Sequence, residues 1–140
     1  MKIILVGGCF DILHIGHIRF LQEAKKLADI LVLLLESDAS VKKTKGENRP
    51  INTQKDRAML LAQLCIVDYV VLLPFLKADA DYDKIVSTIG PSVIATTKGD
   101  PYAMHKKRQA EILKSKLVFV TDRIPNASST RLAKLLHQEL

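Results

Sequence analysis

Two histidines three residues apart, His14 and His17, follow a glycine pair in the run Gly7-Gly8-Cys9-Phe10-Asp11-Ile12-Leu13-His14-Ile15-Gly16-His17. At the start of a helix that spacing lets both imidazoles project to one side, and Gly16 leaves room between them. An imidazolium, or a neutral imidazole donating a hydrogen bond, stabilises charge growing on phosphate oxygens during transfer. Gly7 and Gly8 are expected to turn the backbone tightly and let it approach a ligand without a Cβ in the way. The N–H groups around Cys9 and Phe10 then face an anion. The plainer alternative is that His14 and His17 only cap or pack a helix start. Two histidines in register beside a glycine turn favour phosphate chemistry, and a polyphosphate implies a nucleotide.

Further groups of the same chemical kind lie elsewhere in the chain. Ser128-Ser129-Thr130-Arg131 brings hydroxyls, helix N–H groups and a cation to one place, although serine and threonine there also suit a simple cap. Asp38 falls just past a strand, where it either contacts a substrate or begins a turn. Lys42, Lys43, Lys45 and Arg49 form a basic group within residues 39–52, which read as a long polar connection. Arg57 stands near the N-terminal end of a helix, where the macrodipole favours anions instead. It is expected to reach for one. Lys106, Lys107 and Arg108 read as a solvated helix face.

The elements that must position these groups alternate strictly. Apolar runs at 2–7, 30–35, 69–73, 92–95 and 117–120 suit strands buried on both faces of a parallel sheet. Between them lie amphipathic helices: the first over 17–28 with Ile18, Leu21, Ala24 and Leu27 inward, and one opened by Thr53 with Ala58, Leu61 and Leu64 inward. A third starts at Asp79 or Asp81 and stops at Gly90-Pro91, and a fourth starts with Asp100 as cap and Pro101 at its first position. Ser128 or Ser129 caps the last. Parallel strands need helical crossovers, so the expected fold is α/β. It is a single Rossmann-like domain over residues 1–140, a five-stranded parallel sheet flanked by five helices. The G-x-G-x-x-G and G-x-x-x-x-G-K-[ST] phosphate loops are both missing from the sequence.

Composition narrows the class. The 140 residues are 48% hydrophobic, enough for one packed core, and no apolar run approaches a membrane span. Met1-Lys2 leads straight into a strand without a signal-peptide pattern, so a cytoplasmic protein with no membrane partner is expected. Cys9 and Cys65 are far apart, which argues against a disulfide framework or zinc site. Lysine and arginine outnumber acids 21 to 15, for a net charge of +6. No basic tract with interleaved aromatics accompanies them, which disfavours a nucleic-acid partner.

Residues 8–17 resemble the H-x-G-H signature of the cytidylyltransferase-like nucleotidyltransferases, in the form G-x-F-D-x-L-H-x-G-H. Class I aminoacyl-tRNA synthetases share a related H-I-G-H element but carry a K-M-S-K-S signature, of which Lys114-Ser115-Lys116 is a weak echo. The family's last helix opens with an S-[ST]-T-[RK]-like element, here Ser128 to Arg131. Arg123 stands five residues before Ser128, as in the R-x-x-x-I-S-T-T form, with Ala127 in place of the isoleucine. Residues 37–42, 45–52 and Arg57 look similar to the adenylyltransferase domain that makes ADP-heptose from heptose 1-phosphate. Lys98-Gly99-Asp100-Pro101-Tyr102 departs from the Lys-Gly-Gly-Asp-Tyr of that domain.

The resemblance implies transfer of a nucleotidyl group, ATP favoured, from a nucleoside triphosphate to a phosphorylated small molecule. The alternatives are CTP with glycerol 3-phosphate, ATP with FMN, and a nucleotide-binding regulatory module that does no chemistry. By resemblance His14, His17 and Lys45 are catalytic. Gly8, Cys9, Phe10, Asp11, Arg123, Ser128, Ser129 and Thr130 bind the nucleotide, and Asp38, Arg49 and Arg57 the substrate. Mg²⁺ rides on the triphosphate without a protein ligand, and a homodimer is expected.

Overall fold

The computed structural model describes residues 1–121 and 129–139, and Arg123 and Ser128 lie outside them. The described residues form five strands and six helices: β1 Ile3–Gly8, α1 Ile15–Lys25, β2 Ile30–Leu35, α2 Asp38–Lys45, α3 Gln54–Ala62, β3 Tyr69–Leu72, α4 Asp79–Ile89, β4 Val93–Thr97, α5 Ala103–Leu113, β5 Lys116–Thr121 and α6 Ser129–Glu139. The strands make one parallel sheet in the order β3-β2-β1-β4-β5. Chain order therefore reverses between β1 and β4. At such a switch point the crossovers on either side of the gap run to opposite faces, leaving a crevice at the carboxyl ends of the strands.

The central strands are apolar throughout because both faces are covered. Ile4, Val6, Leu31, Leu33 and Leu35 pack with Phe20, Leu21 and Ala24 of α1 and Leu61 of α3. Leu5, Val32, Leu34 and Ile94 point the other way, against Val86 of α4 and Ala110 of α5. The alternation expected of a strand thus feeds two separate cores. The edges are wetter: Tyr69 and Leu72 on β3 and Phe119 on β5 are exposed. Asp68 ties the base of the sheet, accepting from the Leu31 N–H at 2.7 Å and from Lys25 Nζ. The Leu31 N–H, then Lys25, hold its carboxyl below the usual range.

Three local expectations are corrected. Residues 39–52 are not all connection, since α2 occupies the first part. Its signals are at the ends: Ser37 accepts from the Ser40 N–H at 3.1 Å, Asp38 lies in the first turn, and Lys42, Lys43 and Lys45 lie in the last. Only Val41 is buried, so no apolar stripe marks the helix. Helix α5 starts at Ala103 and not at Pro101, because Asp100 accepts from the Tyr102 N–H at 2.9 Å and folds 100–102 into a turn first. In α1 the inward face includes Phe20, whereas Leu27 lies beyond the helix end and is exposed. No helix among the described residues is long and apolar enough to cross a membrane.

Leu33 is fully buried at the centre of the sheet. Leu33→Ala is expected to lower unfolding free energy by about 2–5 kcal/mol in urea denaturation, the range for a core leucine whose site cannot collapse.

Candidate active site

The carboxyl end of β1 is built around a sharp turn, but not where the glycines alone would put it. Gly7 and Gly8 belong to the strand, and the left-handed residue is Phe10, at φ 49°. A bulky side chain is held there because its ring is buried and packs against His17, with centroids 5.0 Å apart. Gly8 packs closely under it: a Cβ there would sit 3.1 Å from the Phe10 ring, tighter than ordinary van der Waals contact. The turn delivers the chain into α1 with His14 as its cap.

The two histidines do cap the helix, and the way they cap it prepares them for chemistry. His14 Nδ1 accepts from the Gly16 N–H at 3.0 Å, and His17 Nδ1 accepts from the His14 N–H at 3.2 Å. This is the reciprocal capping box, with histidines in the roles usually taken by serine and glutamate. An accepting Nδ1 carries no proton, so each neutral ring carries its hydrogen on Nε2. The rings stack at 3.9 Å between centroids, 28° apart. Burial, then His14, then Lys45 push the His17 pKa down to about 3, and burial followed by Lys45 lowers that of His14. The site therefore holds two neutral imidazoles side by side, each with an Nε2–H donor that the capping bonds leave uncommitted.

Lys45 is the exposed last residue of α2, ahead of Gly46 at φ 109°. Its charge is felt at His14, His17 and Cys9. The structure thus brings His14, His17 and Lys45 into one electrostatic neighbourhood. Ser129, at the start of α6, donates its hydroxyl to the Ile12 carbonyl at 3.0 Å, which docks that helix on the histidine turn. Thr130 beside it is exposed.

The other polar residues marked by the sequence turn out to build the site's frame. Asp11 is buried and accepts from Arg49 Nε at 3.0 Å, Ile51 N at 2.8 Å and Asn52 N at 2.9 Å. Arg49, itself buried, also donates to the Asp11 carbonyl. Nε and Nη2 of Arg49 are engaged by Asp11, and both oxygens of the Asp11 carboxylate accept from the 49–52 stretch, so the two residues fix that loop to the histidine turn. Arg57 is 1% exposed. It donates to the carbonyls of Asn52 (3.0 Å), Cys9 (2.8 Å) and Glu36 (3.0 Å), and to Asp38 Oδ1 (2.7 Å). Arg57 does reach for an anion, but the anion is Asp38. Asp38 Oδ1 also accepts from Gln54 N at 2.7 Å, so it joins α2 to α3, while the side chain stays half exposed.

Three groups were missed by sequence reasoning. Glu36, one residue past β2, accepts from the Tyr82 hydroxyl at 2.9 Å. Burial, then the Glu36 charge, push the Tyr82 phenol up to about 12. Lys106, read from sequence as part of a solvated face, donates to Asp100 at 2.6 Å and Thr96 at 3.2 Å at the end of β4. Burial raises the Asp100 pKa, but Lys106, Thr96 and the Tyr102 N–H outweigh it and hold it down. All three missed residues line a cavity of about 310 Å³ on the α4 and α5 side of the sheet, whose lining also includes Gly7, Gly8 and Cys9. No sequence signal links them: Glu36, Tyr82 and Lys106 come from three separate elements.

A parallel sheet with its switch point between β1 and β4, and a histidine-capped helix following β1, define a Rossmann-like nucleotidyltransferase site. Residues 5–135 match the cytidylyltransferase-like family, and the chain belongs to that family of nucleotidyltransferases. Among its relatives, the bifunctional protein HldE of Nitratiruptor is 41% identical over 133 residues, 95% of this chain and 27% of that protein. HldE of Aliarcobacter butzleri is 48% identical over 101 residues, 72% of this chain and 20% of that one. The chain thus spans about a quarter of the length of these relatives. Of solved structures, a lipopolysaccharide core biosynthesis protein from Thermoplasma volcanium matches with TM-score 0.69 and 27% identity, covering 91% of this chain and 99% of that one. Pantoate-beta-alanine ligase from Francisella tularensis shares the fold, with TM-score 0.62 at 17% identity over 98% of this chain and 72% of that one.

Two outcomes follow from this geometry. Arg57→Leu strands three backbone carbonyls in the interior and is expected to cost about 2–4 kcal/mol in denaturant unfolding, whereas Asp38→Asn costs less because half of that side chain is in water. The histidine pair also makes stability depend on pH. Below about pH 6.5 the unfolded chain takes up a proton at His17 that the native protein refuses until about pH 3. Stability therefore falls as the pH drops through that window, at a limiting slope of about 1.4 kcal/mol per pH unit. His17→Gln keeps an acceptor for the His14 N–H and removes the titration, so its urea midpoint is expected to fall less than that of the parent between pH 6.5 and 4.5.

Proposed function

We propose that the chain transfers an adenylyl group from ATP to a sugar 1-phosphate of the heptose 1-phosphate kind, releasing pyrophosphate. The observation that carries this reading is the pair of neutral, stacked histidines, each with Nε2–H left as its donor, beside Lys45 at the carboxyl end of β1. An oxygen of the acceptor phosphate attacks the α-phosphorus in line, and the bond from that phosphorus to the bridging oxygen of the pyrophosphate breaks. His14 and His17 donate from Nε2 to the α-phosphate oxygens, on which charge grows in the transition state. Their neutrality suits them to donate without a protonation step at neutral pH. Lys45 draws the two phosphates together, and the backbone at Gly8 to Phe10 supports the α-phosphate. Thr130 and the α6 N-terminus would take the outer phosphates, with Ser128 and Arg123 in the same role.

Magnesium would neutralise the triphosphate and the departing pyrophosphate. The ion would ride on the phosphate oxygens of the nucleotide. The similarity to HldE over 95% of this chain, together with residues 37–57, supports ATP and heptose 1-phosphate ahead of CTP with glycerol 3-phosphate or ATP with FMN. A homodimer and a cytoplasmic setting complete the proposal.

The test is pyrophosphate release with magnesium, crossing ATP and CTP against heptose 1-phosphate, glycerol 3-phosphate and FMN. ATP with heptose 1-phosphate is expected to be the productive pair. His17→Ala is expected to lower kcat by about 10²–10³-fold with an unchanged circular dichroism spectrum, and retention of most turnover would sink the role given to it. Silence across every pair, with ATP binding intact by calorimetry, would point to a regulatory nucleotide-binding module instead.

A further inference from the structure

The cavity beside the histidine turn has walls of contrasting chemistry. Its apolar lining comes from Leu5, Leu34, Leu73, Val86 and Ile94. Its polar lining includes Glu36 and Tyr82, hydrogen-bonded to each other, hydroxyls and an amide from α2 and α5, and a basic side around Lys106, held by Asp100 and Thr96, and Arg108, held by Asp83. The Tyr82 hydroxyl uses its only proton on Glu36 Oε2. What this pair then offers a ligand is acceptor capacity: Glu36 Oε1, the remaining lone pairs of Oε2, and the Tyr82 oxygen, which also bonds Ser40. A phosphate or a carbonyl placed against the pair itself would meet acceptor oxygens and no donor. Alcohol hydroxyls fit, because each can donate to Glu36 or Tyr82, and two on adjacent carbons can engage both carboxylate oxygens.

Gly7, Gly8 and Cys9 also line the cavity and lead into the histidine turn, and the Cys9 thiol lies in the field of both Glu36 and Lys45. A ligand whose hydroxylated body lies in the cavity can then extend its phosphate past Cys9 toward His14, His17 and Lys45. At about 310 Å³ the space is at the small end of small-molecule pockets. We infer that Glu36 and Tyr82 are the residues that select the acceptor, by accepting hydrogen bonds from neighbouring hydroxyls of an uncharged polyhydroxylated body. The inference rests on the proposed transferase reading and adds to it the groups that discriminate among acceptors. The candidates differ in how they present hydroxyls: a sugar 1-phosphate holds several on one rigid ring, glycerol 3-phosphate has two on a flexible chain, and FMN places those of its ribityl chain beside a bulky flavin ring.

The test compares Glu36→Ala, Glu36→Gln and Tyr82→Phe with the parent, following pyrophosphate release while heptose 1-phosphate and ATP are varied separately. Loss of a hydrogen bond to a charged group predicts that Glu36→Ala raises KM for heptose 1-phosphate about 10–100-fold. KM for ATP should stay within about twofold, and Glu36→Gln, which keeps one accepting oxygen, should recover part of the loss. Tyr82→Phe is expected to raise the sugar KM less, since Glu36 keeps its charge. Saturation-transfer NMR of heptose 1-phosphate against parent and Glu36→Ala reads binding without turnover, and the ring-proton signals should be lost in the variant. An unchanged sugar KM and unchanged NMR signals in Glu36→Ala would overturn the inference while leaving the transferase reading in place. A parallel loss of ATP and sugar affinity would also overturn it, marking Glu36 as structural. If the parent neither releases pyrophosphate with any pair nor binds heptose 1-phosphate, the transferase reading fails and the selection role with it.

Discussion

A guanidinium with no water around it holds this site together. Arg57 sits where β1 and β2 run out, and each strand end leaves a carbonyl pointing at it, from Cys9 and Glu36. The loop before α3 adds the Asn52 carbonyl, and α2 adds Asp38. Four pieces of chain, the ends of two strands, a loop and a helix, are thereby fixed to one another. A planar fork with five donors can do this; the single ammonium of a lysine cannot span the same acceptors. The consequence reaches the chemistry, because α2 carries Lys45 and the chain at Cys9 leads to His14 and His17. The relative positions of these three groups depend on Arg57.

Asp11 does the complementary work with the opposite sign. Its carboxylate gathers Arg49 and the N–H groups of Ile51 and Asn52 from 38 or more residues away. Each buried charge is satisfied, in keeping with the absence of unpaired buried side-chain polar atoms among the described residues. Quenching Asp11 and Asp38 in this way also clears negative charge from the place where phosphates would lie. What faces them is then a cation and two neutral N–H donors, already oriented by backbone bonds that cost no reorganisation when charge develops. Glu36, hydrogen-bonded to Tyr82, lines the neighbouring cavity.

At His14 and His17 the structure shows that capping, the plainer reading of the sequence, leaves one ring nitrogen of each histidine uncommitted. Each ring caps with Nδ1 and is left with Nε2–H for a ligand. Similarly, Arg57 was conspicuous in the sequence because a cation at a helix N-terminus goes against the dipole; the reason is a set of acceptors that only the fold assembles. Lys106 misled for the opposite reason. A run of basic residues on a helix looks solvated until β4 ends beside it with Thr96 and Asp100.

Local pattern by itself determined the alternation of strands and helices, the parallel sheet and the histidine turn, because apolar runs, caps and short motifs act over a few residues. The resemblance of that turn to a family of nucleotidyltransferases belongs to the same scale. The strand order, with its switch point between β1 and β4, was decided by packing across the sheet. So was helix α2, whose one buried residue, Val41, leaves no stripe to read. The tertiary structure alone decided which charges are buried frame and which face a ligand. That choice depends on partners 19 to 48 positions apart in the chain, such as Asp38 and Cys9 for Arg57, and burial is a property of the whole fold and not of any segment.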